Sequence, residues 1–266
     1  MTIRKDAVAG QFYPASKEEI ETMFNHYNNI IDDSIKEKSI LNLKPRAIIV
    51  PHAGYIYSAF TANIAFRLLK NSNAKCVVVI GPSHHIYLNG TSVSEFDTFE
   101  TPMGNLPINT KLVNELIKKF GLHFQADAHS EHSTEVQMPF VKNYLPDASV
   151  IELVYSNEDP KNLVKVINYL LKDEDTVVVI STDLSHYYNI EEAKQLDSVC
   201  LDAVSNLNLS ELHEGCDACG KIGIEAMLIA AKENGLESTL LDYRTSADAS
   251  GDKSQVVGYM SAAFSE

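Results

Sequence analysis

Cysteine is scarce in this chain, with four residues among 266. Four cysteines in a chain of this length do not make the dense disulfide framework of small secreted domains. The first residues, MTIRKDAVAGQFYP, lack the apolar core of a secretory signal peptide. The longest apolar runs, such as residues 77–80, have the length of a strand and are too short to cross a bilayer. We therefore expect a cytoplasmic protein with reduced thiols.

Basic residues are also few, since 22 Lys and Arg face 36 Asp and Glu, which gives a net charge of −14. A surface this acidic repels phosphate backbones and anionic lipid headgroups, so nucleic acid and membrane surfaces are not expected partners. The shares of hydrophobic residues (45%) and charged residues (22%) are those of a globular protein, which excludes disorder, collagen and coiled coil. Repeats and long linkers are absent from the sequence, and we expect a single domain over residues 1–266.

Short apolar runs rich in β-branched residues alternate with segments of helical spacing. Nearly continuous runs of this kind predict strands that are buried on both faces, here at residues 46–50, 76–80, 149–154 and 176–181. Helical spacing is found at residues 58–69, 109–119, 135–144, 160–171, 191–207 and 222–234, and closing strands are predicted at 238–243 and 256–264. The alternation predicts a three-layer α/β/α fold with a largely parallel or mixed central sheet.

Histidines follow three of the predicted strands. PHAGY brings His52, GPSHH brings His84 and His85, and TDLSH brings Asp183 and His186. Ligands of open α/β sheets bind beyond the carboxyl ends of the strands, and adjacent strands lie only ~4.8 Å apart. The three motifs therefore predict one shared polar site. Adjacent side chains of an extended backbone point in opposite directions, so only one of His84 and His85 is expected at its centre, and spacing does not decide which.

A Cys-x-x-Cys motif, Cys216 to Cys219, precedes the last predicted helix. A structural zinc ribbon needs a second such pair, but Cys76 and Cys200 lie inside a predicted strand and a predicted helix. A thioredoxin-like dithiol needs its own βαβ unit, which is only partly met. A third functional interpretation is a single thiolate near the helix N-terminus, where the dipole lowers its pKa and a transition metal can bind it. Two ordinary reduced thiols are the structural alternative.

Glu131 and His132 open the segment EHSTEVQ. Ser133 or Thr134 can cap the helix that follows, which explains part of the segment. Glu131 and His132 are then candidates for supporting or rim positions around the site. His129, three residues before His132, has no predicted role.

Taken together, these motifs resemble those of the Memo family, which is called AmmeMemoRadiSam system protein B in prokaryotes. They run in order from AGQFYP (residues 9–14) through PHAGY, GPSHH, TPMG (101–104), EHS, STD and ACG (218–220). The resemblance extends from about residue 6 to the C-terminus. It implies a fold similar to that of LigB-type class III extradiol dioxygenases, α/β/α proteins that hold non-haem iron with two histidines and one carboxylate.

In Memo-like proteins a cysteine takes the place of that carboxylate, so the resemblance implies the metal ligands His52, His84 and Cys219. It also implies that Asp183 and His186 lie beside the metal, with His186 in the position of the dioxygenase acid/base histidine. Non-haem iron is the expected metal, although two imidazoles and a thiolate also suit copper or zinc. A thiolate donates more charge than a carboxylate and can itself be oxidised, which weakens the expectation of extradiol ring cleavage.

The leading functional interpretation is a non-haem metal redox protein, an oxidase or dioxygenase-like enzyme acting on a small molecule or a peptide. The family's name implies partners among radical-SAM and other proteins of the AmmeMemoRadiSam system. One alternative is a non-enzymatic protein that binds metal or a (phospho)peptide. Another is a zinc-dependent hydrolase, with His186 as the base for a metal-bound water. Cys216 lies outside the family's motif and is either a competing ligand or the partner in an opportunistic disulfide.

Overall fold

The computed structural model describes residues 2–34 and 38–266 of the chain. Within those residues a large and a small β-sheet are flanked by helices. The strands, in chain order, are β1 (Ile3–Arg4), β2 (Ala47–Val50), β3 (Cys76–Pro82), β4 (Thr91–Val93), β5 (Thr98–Phe99), β6 (Leu106–Pro107), β7 (Ser149–Tyr155), β8 (Thr176–Ser181), β9 (His186–Tyr188), β10 (Glu237–Thr245) and β11 (Val256–Ser265). The α-helices are α1 (Lys17–Ser34), α2 (Tyr55–Leu69), α3 (Thr110–Phe120), α4 (His132–Glu135), α5 (Met138–Tyr144), α6 (Pro160–Leu170), α7 (Ile190–Ser205), α8 (Leu209–Gly215), α9 (Lys221–Glu233) and α10 (Ala247–Ser250).

The large sheet has the strand order β10-β11-β2-β8-β3-β7-β4 in the described part of the chain, and β9 pairs with β11 beside it. Its central strands, β2-β8-β3-β7, are parallel and correspond to the four apolar runs that the sequence predicts as buried strands. The outer strands β4, β11 and β10 run antiparallel to their neighbours. The prediction of a largely parallel or mixed central sheet is therefore confirmed, because the centre of the sheet is parallel and its outer strands are antiparallel.

Helices cover both faces of the large sheet. Helix α2 packs against β2, β10 and β11 and carries α1 and α5, while α6 and α9 pack on each other and on β8. The three-layer α/β/α architecture predicted from the sequence is therefore confirmed, and its likeness to LigB-type proteins stays a prediction. Among the described residues, no helix has both the length and the apolar character that a membrane span requires.

The parallel strands are buried along almost their whole length. Val77 to Ile80 of β3 and Val177 to Ile180 of β8 have no exposed surface. Full burial of one such side chain contributes about 1.5–3 kcal/mol, and β-branched residues fit the pleated surface well. The carboxyl ends of these strands are therefore firmly anchored, and the residues that follow them inherit defined positions.

The structure contains three α-helices among the described residues that the sequence does not predict, α1, α8 and α10, and it divides one helix that the sequence does predict. The periodicity does not predict α1, whose few buried side chains, such as Ile20 and Phe24, are scattered among polar residues. The helix predicted at residues 135–144 is divided into α4 and α5. Pro139 stands in the first turn of α5. Because proline has no N–H to donate and its ring disfavours a continuing helix before it, α5 starts anew instead of extending α4.

Candidate metal centre

Three neighbouring parallel strands end beside one another and deliver the candidate residues. His52 lies two residues beyond the end of β2, Asp183 two beyond β8, and His84 two beyond β3. The pairs Val50–Ser181 and Ile80–Ile180 are in register, so the strand ends are level. The shared polar site predicted from the three motifs is therefore present at the carboxyl edge of the sheet.

The imidazoles of His52, His84 and His132 form a cluster at this edge. One ligand atom from each ring lies within 4.8 Å of the others. The ring centroids are 5.1 Å apart for His52 and His84, 5.5 Å for His52 and His132, and 4.5 Å for His84 and His132. Because neutral imidazole is a common ligand of transition metals, this histidine-rich cluster could hold a metal ion.

Hydrogen bonds to the rear nitrogens orient two of these rings. Ser181 Oγ donates to the backbone carbonyl of Ser133, so it accepts from His52 Nδ1 at 3.0 Å. His84 Nδ1 lies 3.0 Å from the carboxylate of Glu131 and donates to it. In each ring the proton is therefore assigned to Nδ1, which leaves the lone pair of Nε2 for a metal. Burial and the charges of His84 and His132 hold the pKa of His52 well below its usual range, which favours the neutral form that a metal needs.

Glu131 is a buried anion between two histidines. Its carboxylate accepts hydrogen bonds from the backbone N–H of His84 at 2.6 Å and of Ser133 at 3.0 Å. Burial alone would raise its pKa, but the adjacent imidazole of His132 and the hydrogen bonds from His84 and these amides hold the pKa well below its usual range. His132 Nδ1 lies 2.9 Å from Glu131 Oε1 yet is not aligned as a hydrogen bond. Glu131 is therefore charged near neutral pH and fixes His84.

The thiol of Cys219 touches the cluster through His52. Cys219 Sγ lies 3.2 Å from His52 Nε2 and accepts from the backbone N–H of Asp183 at 3.2 Å. Burial and the nearby charge of Asp183 raise the pKa of this thiol to about 12. The sequence-based expectation of a lowered pKa is therefore wrong for the free thiol, because desolvation outweighs the dipole of α9. A metal cation would have to displace the proton.

Two glycines permit the close approach of the loops that carry these residues. A Cβ atom on Gly220 would lie 2.5 Å from Thr182 Cβ, and a Cβ atom on Gly81 would lie 2.7 Å from Ser133 Oγ. The N–H of Gly220 donates to Thr182 Oγ1 at 2.9 Å. Absence of a side chain at position 220 therefore lets the start of α9 pack directly on the end of β8, which brings Cys219 to the site.

The CDAC motif is divided between a disulfide and a free thiol. Cys216 is bonded to Cys200, 16 residues away, and Cys219 is free. The expectation of four reduced thiols is therefore wrong, and the disulfide that the sequence left open for Cys216 is present. The sequence did not indicate Cys200 as its partner, because only the packing of α7 on α8 brings the two sulfurs together.

Asp183 and His186 follow the same strand and have different surroundings. Asp183 is 4% exposed, and its Oδ1 accepts the backbone N–H of His52 at 2.7 Å. Burial raises the pKa of Asp183 to about 6, against the lowering effects of that hydrogen bond and of His186. His186 is half-buried at the start of β9, where it pairs with Val257 of β11. The acid/base roles of the two residues stay predictions.

The cluster also includes a residue to which sequence reasoning gave a lesser part. His132 occupies the third place in the group with His52 and His84, whereas Cys219 contacts this group at His52. Glu131 and His132 stand at the cap and first residue of α4, a segment too short to give a periodicity signal. Of the adjacent pair in GPSHH, His84 belongs to this group and His85 to a second group with Glu131 and His132.

The chain is similar over nearly its whole length to a single family. The family model described as "Memo-like protein" matches residues 4–263. A "MEMO1 family protein" of Aquifex aeolicus is 35% identical, with 99% of this chain and 100% of the relative covered. Relatives of the same name from Methanosarcina mazei and Archaeoglobus fulgidus are each 32% identical, with 97% and 98% of this chain and 98% and 99% of the relatives covered. Matches of this extent, together with the ordered motifs around the histidine cluster, show that the chain belongs to the Memo family.

Proposed function

We propose that this protein is a non-haem metal redox protein whose metal ion is held by His52, His84 and Cys219. Iron is the metal that we propose first. The observation that carries the proposal is the contact of 3.2 Å between Cys219 Sγ and His52 Nε2 beside the histidine cluster. The sulfur of Cys219 meets the imidazole of His52 there, and the ring of His84 lies beside that of His52. Such a mixed donor set suits redox-active transition metals, whereas magnesium and calcium prefer oxygen ligands.

The residues present fit a metal ion. His52 and His84 each have the rear nitrogen engaged, and the front nitrogen of His52 faces the sulfur of Cys219. This arrangement is typical of metal-binding histidines, whose rear N–H is held by a carboxylate or another oxygen. Three protein ligands leave further coordination positions open, as reactive sites require. An ion bound there would supply Lewis acidity and, if iron or copper, one-electron chemistry.

The surrounding residues would handle protons. Asp183, with a pKa near neutrality, can take up or release a proton close to the metal ligands. His186 is half-buried on a strand whose backbone is fixed by pairing with β11. An imidazole in that position can exchange protons between a substrate and solvent, which is the role that we propose for it. We propose a small organic molecule or a peptide as the substrate.

The test is metal analysis of protein purified without oxygen, combined with paired cysteine variants. We expect about one iron per chain in the wild type and its loss in Cys219→Ser. In the matched variant Cys216→Ser the disulfide is opened, but the metal should remain. The iron-loaded protein should consume dioxygen as the iron is oxidised, which an oxygen electrode measures.

Three results would contradict the proposal. If Cys219→Ser retains the metal and Cys216→Ser loses it, the ligand is Cys216 and not Cys219. If His52→Ala binds a full equivalent of the metal, the ion is not held at the proposed centre. Zinc as the metal of anaerobically purified protein would favour the hydrolase alternative over a redox role.

A further inference from the structure

A second group of metal-binding side chains adjoins the histidine cluster. Ligand atoms of His85, Glu131 and His132 lie within 4.8 Å of one another. His85 is exposed, His132 is partly buried and Glu131 is buried, so the group runs from the surface inward. His132 belongs to both groups. We propose that His85, Glu131 and His132 form a second, outer position for a divalent transition-metal ion.

The donors of this outer position suit such an ion. Glu131 is a buried carboxylate whose charged form is favoured by the hydrogen bonds that it accepts from the backbone N–H groups of His84 and Ser133. Among the described residues, His132 Nδ1 is buried without a hydrogen-bond partner, although Glu131 Oε1 lies only 2.9 Å away. A cation shared by these two atoms would satisfy the nitrogen that the protein leaves unpaired. Two imidazoles and one carboxylate form a ligand set that is common for zinc and non-haem iron.

Both adjacent histidines of GPSHH have their rings close to that of His132. The ring of His84 lies 4.5 Å from that of His132, and the ring of His85 lies 5.6 Å from it. Ligand atoms around a tetrahedral ion are about 3.4 Å apart, given metal–ligand distances of about 2.0–2.3 Å, so the outer ligands must draw together slightly. His85 is exposed and free of the bonds that fix His84, so it can make this movement by side-chain rotation.

The arrangement also gives the outer position a route to the inner one. An ion taken up at exposed His85 reaches His132, which is itself within 4.8 Å of the ligand atoms of His52 and His84. Glu131 offsets the positive charge of an outer ion, as Cys219 does for an inner ion once its proton is displaced. The inference rests on the proposed function only for the assignment of the inner ion.

Titration of the metal-free protein with Co²⁺ tests this inference, because cobalt bound to a thiolate absorbs in the near ultraviolet. The number of bound ions is measured in parallel by equilibrium dialysis. We expect two ions per wild-type chain, of which only one develops the thiolate band. His85→Ala should retain the banded ion and bind the other at least about 100-fold more weakly, since even indirect partners of a metal are worth about 10–100-fold. His123→Ala, which removes another exposed histidine, should bind both.

Each outcome decides the question. A wild-type chain that saturates with one cobalt ion would overturn the outer position, as would a second ion that His85→Ala binds with unchanged affinity. Cys219→Ser separates the two proposals. If Cys219→Ser loses the thiolate band and still binds one ion, and if the double variant with His85→Ala no longer binds that ion, the outer position is supported whether or not the inner assignment is right. If no thiolate band forms in the wild type, the inner assignment fails, and the outer position is judged by stoichiometry alone.

Discussion

Substitution of Gly220 by alanine should damage both stability and the metal site. The added Cβ would lie 2.5 Å from Thr182 Cβ, 2.6 Å from Thr182 Oγ1 and 2.9 Å from the backbone oxygen of Ser181. The φ angle of Gly220 is −96°, so the backbone conformation itself suits alanine. The penalty therefore arises from steric overlap alone. Ser181 ends the central strand β8, whose backbone is held by neighbours on both sides, so the start of α9 has to move instead.

The size of the effect follows from two contributions. Insertion of a methyl group into a packed interior costs about 1–3 kcal/mol. Movement of α9 also breaks the hydrogen bond from Gly220 N to Thr182 Oγ1, which contributes about 1 kcal/mol. We expect Gly220→Ala to lower the free energy of unfolding by about 2–4 kcal/mol. Because Cys219 moves with the loop, Co²⁺ binding should weaken by about tenfold or more, which corresponds to about 1.4 kcal/mol of lost binding free energy.

Gly215→Ala provides the matched control. A Cβ atom at position 215, at the end of α8, would lie more than 4 Å from every group in the described part of the chain other than its chain neighbours and the backbone of its own helix. Urea unfolding followed by circular dichroism measures the stability of both variants, and the cobalt–thiolate band measures the site. Gly215→Ala should match the wild type in both measurements. If Gly220→Ala also unfolds at the wild-type urea concentration and binds Co²⁺ with wild-type affinity, the close packing of α9 on β8 does not position Cys219.

Three further substitutions have defined outcomes. Asp183→Asn should stabilise the metal-free protein above pH 6, because burial raises the pKa of Asp183 to about 6 in the folded state. In the unfolded state, where its pKa is about 3.9, the carboxyl group binds fewer protons between about pH 4 and 6 than it does in the folded state. Asp183 therefore lowers the free energy of unfolding by an amount that grows from about pH 4 to 6 and reaches roughly 3 kcal/mol. Urea unfolding at pH 4 and 7.5 checks this, and an equal change at both pH values would contradict it. His186→Ala should keep the metal and lower turnover of an identified substrate by about 10²–10⁴-fold, whereas loss of the metal would make His186 a ligand. Arg4→Met should lower the free energy of unfolding by roughly 3–5 kcal/mol, because it leaves the buried carboxylates of Glu135 and Glu152 without the guanidinium group of Arg4. Urea unfolding measures this change. Lys5→Met, in an exposed ion pair, should change stability by less than about 1 kcal/mol, and equal losses in the two variants would refute the difference.

The buried glutamates illustrate what sequence patterns miss. Glu135 accepts hydrogen bonds from the backbone N–H groups of Ala7 and Val8 and from Tyr13 Oη, and it pairs with Arg4. These contacts join the N-terminal segment to α4, more than 120 residues away along the chain. Periodicity and propensity describe neighbours within a few residues of each other, so a network of this kind leaves no local signal.

The disulfide and the state of Cys219 were also beyond local reasoning. Cys200 has the appearance of an ordinary apolar helix residue, and its bond to Cys216 depends on how α7 and α8 pack. The thiol of Cys219 has a raised pKa because the folded chain excludes water from it and brings Asp183 close. Burial is a property of the assembled structure, and here it opposes the effect that position before a helix predicts.

The sequence by itself determined the parallel centre of the sheet and the histidines at its edge. Runs such as residues 76–80 are so consistently apolar and β-branched that both faces of the strand have to be removed from water. The end of a buried strand in turn fixes the position of the residues directly after it. Tertiary structure alone decided that β2, β8 and β3 are neighbours, that His132 joins His52 and His84, and that Cys219 reaches His52. Those meetings depend on strand order and on the packing of two loops against glycines, interactions between segments far apart in the chain that no local pattern encodes.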